Sequence, residues 1–174
     1  MFKLIPSYSF VLNSHLCAEE CKRKIREFSE EKKTFKLDWK APVYSKSYIG
    51  FVADGEFEIH RNIAYRNSFL PVIRGKITSQ TNGVTISINM RVDSFVSVFM
   101  AIWLGFTFLF CLLVLFIAFK ASFSPFFIIP FGMVIFGMVL SHGAFNYERK
   151  KSVEDLKNLF GAEIKNQDTF SRIK

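Results

Sequence analysis

Three arginines, Arg61, Arg66 and Arg74, bracket Tyr65 and Asn67 and are the residues best suited to hold an anion. A guanidinium pairs bidentately with carboxylate or phosphate. On this reading Tyr65, Arg66, Asn67 and Arg74 form a ligand- or partner-binding patch. The plainer alternative is that Asn67 makes a turn, Pro71 protects an edge strand and the arginines face water. Cys17 and Cys21 stand four apart on an expected helix, a spacing that can ligate a metal, but no His or further Cys pair completes a four-ligand set. Packing is the expectation for both, and for Cys111. His15, His60 and His142 fall in different elements, and HExxH, Walker, GxGxxG and GxSxG patterns are absent. No catalytic residue, metal or cofactor is expected, and the chain does not read as an ordinary enzyme.

The 22 phenylalanines point elsewhere. Thirteen lie between Phe95 and Tyr147, a stretch whose single charge is Lys120. A soluble domain of 174 residues does not hide that much uncharged chain. Residues 95–119 carry no charge, and about 20 such residues in a helix span a hydrocarbon core of about 30 Å. Residues 121–147 are also uncharged; Pro125 and Pro130 place the start of a second span near Phe126, with a kink near Pro130. The few residues between them predict a two-helix transmembrane hairpin. The first run begins too far along the chain for a signal peptide, and Met1–Phe10 lacks the basic, apolar and cleavage-site pattern.

Basic residues set the expected orientation. Lys76 and Arg91 precede the spans, Arg149, Lys150, Lys151, Lys157 and Lys165 follow them, and Lys120 alone marks the tip. Both termini are therefore expected in the cytoplasm. Three cysteines without a paired framework agree with a reducing compartment. The net charge of +8 does not indicate nucleic acid: the one short basic cluster abuts a span, where lipid headgroups are the simpler partner.

Residues 1–94 predict an aqueous domain. A strand over Ser7–Leu12 precedes a helix over Leu16–Glu31, capped by Asn13 or Ser14, with Cys17, Cys21 and Ile25, or Cys21, Ile25 and Phe28, on its buried stripe. Glu19–Arg23, Glu20–Lys24 and Arg26–Glu30 are expected ion pairs on its solvated face. Lys32–Lys46 reads as a loop, anchored by Trp39 and Tyr44. Strands follow over Tyr48–Ala53, Glu56–Tyr65, Phe69–Thr78 and Val84–Met90, with turns at Asp54-Gly55 and Asn82-Gly83. Fold class is thus α+β: a small antiparallel sheet with one covering helix (1–94), a transmembrane hairpin (95–147) and a short amphipathic tail helix (148–174).

Gly50-Phe51-Val52, Phe57-Glu58-Ile59, the run Tyr65 to Ile77 (YRNSFLPVIRGKI), Gly83 to Ile88, Arg91, Phe95, Phe99 and Trp103 together resemble a motif of small bacterial membrane proteins with two spans. The resemblance covers most of the chain. It implies the same strand, helix, meander and two-span layout, a bacterial inner membrane, and no known activity or cofactor. Val84 between Gly83 and Thr85 departs from the expected Gly-Thr and implies a longer turn.

Arg149, Lys150, Lys151 and Trp103 are expected at the membrane interface, and Gly137 and Ser141 form a small-xxx-small pair for helix packing. His142, with Asn146 and Tyr147 nearby, is expected to snorkel toward headgroups. In the tail, Ser152 and Asp155 resemble a capping box, followed by an apolar face of Val153, Leu156, Leu159, Phe160 and Ile164 that lies on the membrane or packs on the sheet domain. The expected function is a non-catalytic, membrane-anchored interaction or assembly module, with the bilayer and a homo-oligomer or protein partner. Alternatives are a ligand- or lipid-sensing domain and an oligomeric membrane-permeabilising effector.

Overall fold

The computed structural model describes residues 4–31, 44–53, 55–118 and 125–165. Alternation of apolar and polar residues drives most of the strands, because successive side chains point to opposite faces. β1 (Ser7–Ser14), β4 (Glu56–Arg61), β5 (Pro71–Gln80) and β6 (Gly83–Val92) follow that pattern, whereas β3 (Tyr48–Ala53) is apolar throughout and buries its first three residues in a row. β6 is the clearest case: Val84, Ile86, Ile88, Met90 and Val92 are all buried. α1 (Ala18–Phe28) lies after β1, with Cys21 and Ile25 buried. β2 (Ser29–Glu31) follows it, and β7 (Glu163–Lys165) closes the described chain.

Among the described residues the sheet has seven strands, ordered β2-β3-β4-β5-β6-β1-β7. The expectation of a small antiparallel sheet needs correction on both counts: the sheet is large, and β2 pairs with β3 in parallel. The two added strands have three residues each, too short to show a period. β2 is cut from the end of the expected helix. Ser29 leaves the helical path with its hydroxyl bonded to the Ile25 carbonyl at 2.8 Å, while Lys46 Nζ donates to the carbonyls of Arg26 and Ser29. The expected Lys32–Lys46 loop lies mostly outside the described residues, Trp39 included.

The turns are tight. Ala53 pairs with Glu56 and Gly55 has φ +83°, while Asp54 of the expected Asp54-Gly55 turn lies outside the described residues. Gln80 pairs with Gly83, so the second turn is Thr81-Asn82 and not Asn82-Gly83; Gly83 starts β6. Of the expected pairs on α1, a different set forms: Lys22 meets Glu19 and Arg23 meets Glu27. Glu30 instead accepts hydrogen bonds from Ser45.

Two long apolar helices complete the molecule. α2 (Ser94–Ala118) begins two residues after β6, with Asp93 Oδ1 accepting from the Phe95 amide. α3 (Ile129–Phe160) follows a 3-10 turn at Pro125–Ile128, so Pro130 sits in the first turn of α3. Both are long and apolar enough to cross a membrane. They touch where Trp103 covers Gly137: a Cβ on Gly137 would come within 2.5 Å of the indole. Lys120 and its neighbours lie outside the described residues.

α3 has 32 residues and therefore a length of about 48 Å at 1.5 Å per residue. It is not broken at residue 147. The separate tail helix is therefore the end of α3, and Ser152 is a buried mid-helix residue, not a cap. One buried stripe runs through Gly137, Ser141, Phe145, Glu148, Ser152, Leu156 and Phe160. Its first residues face α2; its last reach the sheet core, where Leu156 and Phe160 are fully buried beside Phe10, Leu12, Ile25, Ile59 and Ile86. α1 and the end of α3 thus share the sheet face expected to carry one helix. Gly161 stops α3 in the left-handed conformation, with Ala162 N–H bonded to Lys157 O and Gly161 N–H to Asn158 O. The Ser14 hydroxyl donates to Phe160 O at 2.7 Å, tying β1 to the helix end.

Candidate functional site

The site lies where β4 ends against the middle of α3. Arg61 is the last residue of β4 and alternates onto the helix-covered face, opposite Tyr48 of β3. Such a position normally holds an apolar side chain. Here Arg61 Nη1 meets Glu148 Oε2 at 2.9 Å, and Glu148 is completely buried. Tyr65, just past the strand, donates its hydroxyl to Glu148 Oε1. Arg61 Nε faces Asp155 Oδ2 at 3.7 Å, and the Tyr48 hydroxyl donates to that same oxygen at 2.7 Å. Ser152 Oγ lies beside the Tyr48 hydroxyl without a well-formed hydrogen bond.

The electrostatics follow from this packing. Burial works against the Arg61 charge, yet the hydrogen bond to Glu148 and the nearby carboxylates raise its pKa overall. Burial, then the contact with Asp155, pushes the Tyr48 phenol well above its ordinary value. The hydrogen bond to Glu148 pushes Tyr65 up to about 12. Both phenols are therefore held protonated as donors. The cluster of donors and carboxylates fixes α3 to the sheet, with buried Arg61 Nε and Ser152 Oγ left outside its hydrogen bonds.

Beside it runs a groove of about 440 Å³ between the 62–70 loop and α3. Tyr65, Arg66, Asn67, Ser68 and Phe69 line one wall, and Leu140, Ala144 and Tyr147 the other. The loop is held by Asn67, whose Oδ1 accepts from Phe69 N–H and whose carbonyl accepts from Leu70 N–H. Three of the four residues expected at a binding patch, Tyr65, Arg66 and Asn67, thus come together. Arg74 does not join them. It lies on the opposite sheet face, 2.6 Å from Glu58, in a small depression with Asn89, Arg91 and Asp93.

The residues expected at a membrane interface are divided. Arg149 lies over the Tyr8 ring and Lys151 over the Tyr147 ring, at 4.4 and 4.0 Å. Lys150 is exposed. Trp103 is well inside α2, on the contact with Gly137, and Ser141 is buried on the same stripe. His142 Nδ1 lies 3.0 Å from Met138 O. Cys17 is exposed and Cys21 buried; burial raises the Cys21 thiol pKa.

Arg61 with Glu148 and Asp155 is the feature missed by sequence reasoning. Its signal was an arginine at an inward position of an otherwise apolar strand face, with two carboxylates at 148 and 155, seven residues apart on one helix face. Compared with protein-family models, curated proteins and solved structures, the chain finds no match.

Proposed function

We propose that the chain is an integral protein of a bacterial inner membrane, with α2 and α3 crossing as a hairpin and both termini in the cytoplasm. The sheet domain then sits at the membrane face as a non-catalytic interaction or assembly module. The observation that carries this is the continuity of α3. Its apolar half shares a helix, without a break, with Leu156 and Phe160 in the sheet core. A length of about 48 Å exceeds a hydrocarbon core of about 30 Å, leaving the rest for the sheet. A helix joined in this way supports a rigid mount: what binds the sheet domain is held at a set height and angle.

Native membranes extracted into nanodiscs test this. A stoichiometric oligomer or one defined co-purifying protein is expected by mass measurement. A clean monomer without a partner sinks the assembly reading, and release by carbonate washing sinks the membrane reading.

A second role, lipid or ligand sensing, finds some support in the surface groove beside Tyr65. The space between sheet and helices is filled by Phe10, Phe57, Phe145 and Phe160, so a sensed ligand would sit in that groove.

A further inference from the structure

We infer that the groove between the 62–70 loop and α3 binds the headgroup of one anionic phospholipid, its chains continuing along α3. The inference rests on the membrane reading above.

The groove changes character along its length. Leu140 and Ala144 line its apolar end, and exposed Phe136 extends the same helix face by another turn. At its other end stand Arg66, Asn67, Ser68 and the phenol rings of Tyr65 and Tyr147. The step from Leu140 to Tyr147 is about 10 Å along the helix. This is where α3 passes from uncharged sequence to Glu148-Arg149-Lys150-Lys151. An amphiphile matches that gradient; a wholly polar ligand does not.

Charge favours an anion. Arg61, Arg74, Lys76, Lys22 and Arg23 each have a carboxylate partner. Arg66 is exposed and has no ion-pair partner among the described residues. Glu148, which accepts from the neighbouring Tyr65, is buried and already held by Arg61 and Tyr65, so it does not compete for Arg66. Lys151 on the Tyr147 ring brings a second cation to the rim. Asn67 and Ser68 add amide and hydroxyl donors for phosphate oxygens. At ~30 Å³ per water, about 440 Å³ equals roughly fifteen waters. That admits a phosphoglycerol headgroup with the first methylenes of its chains.

The test is native mass spectrometry of the full chain in detergent, titrated with phosphatidylglycerol or phosphatidylcholine. One phosphatidylglycerol should be retained about five- to thirtyfold more tightly, the scale of one or two basic contacts near a membrane surface. Arg66→Ala should abolish the preference, Ala144→Leu should weaken both lipids, and Arg23→Ala on α1 should change neither. Equal retention of the two lipids, or an unchanged preference in Arg66→Ala, overturns the site. Soluble glycerol phosphate competing as well as the lipid also overturns it, because the pocket would then be a free phosphate site. Carbonate extraction reports separately on membrane insertion, so a failed lipid preference in a firmly inserted protein counts against the site alone.

Discussion

At the level of single residues, the Arg61–Glu148 pair decides how the helix meets the sheet. Removing one partner of a buried pair strands the other charge, at a cost of about 3–5 kcal/mol, whereas replacing both with apolar groups costs far less. Arg61→Met should therefore lower the melting temperature sharply, and Arg61→Met with Glu148→Leu should recover most of the loss. A double variant as unstable as the single would show that the pair is not what sets stability there. The tyrosines around it give a pH dependence. In the unfolded chain both phenols ionise near their ordinary value of 10.0, while in the folded chain Tyr65 is held up to about 12 and Tyr48 higher. A folded pKa above the unfolded one stabilises fully below pH 10, and that stability is lost as pH rises through the window from 10 to 12. The wild-type protein should lose melting temperature steeply in that window. The Tyr48→Phe, Tyr65→Phe variant should show a shallower fall, and equal slopes would remove the assignment.

The elements differ in how far the sequence revealed them. β6 was legible because Val84, Ile86, Ile88, Met90 and Val92 alternate strictly, and α2 because twenty-five residues run without a charge. β2 was not, since Ser29–Glu31 continues a helical pattern and becomes a strand only by pairing with Tyr48–Gly50. α3 misled in another way. Ser152 with Asp155 has the spacing of a helix start, yet Asp155 is spent on the Tyr48 hydroxyl, Ser152 is buried mid-helix and the helix runs through both. The clustering of Tyr65, Arg66 and Asn67 was legible because turn chemistry gathers them; the separation of Arg74 was not, because a strand's two faces look alike until the core is known. The α2–α3 contact rests on the small size of Gly137. A larger side chain there must displace the Trp103 ring, and a bulge of that size has no room in a packed contact. Gly137→Val should therefore shift Trp103 fluorescence in a Trp39→Phe background and weaken crosslinking between cysteines placed along the two helices. An unchanged spectrum would mean that the helices do not meet there.

At the scale of the whole molecule, the basic residues and the rigid α3 make one joint demand. On the membrane reading proposed above, the sheet domain, the end of α3 and the Arg149-Lys150-Lys151 cluster share one side, because Leu156 and Phe160 are in the sheet core. The proposed orientation, from the positive-inside rule, puts that side in the cytoplasm. Cys17 reports on it. It is exposed on the sheet domain, whereas Cys21 and Cys111 are buried. In a Cys21→Ser, Cys111→Ser background, a membrane-impermeant thiol reagent should leave Cys17 unlabelled in intact cells and label it once the membrane is opened. Labelling in intact cells would invert the topology and move the Arg66 groove to the outer leaflet. Labelling that is equal in both states, with the protein released by carbonate, would remove the spans themselves and leave the apolar faces of α2 and α3 to be covered by other copies of the chain.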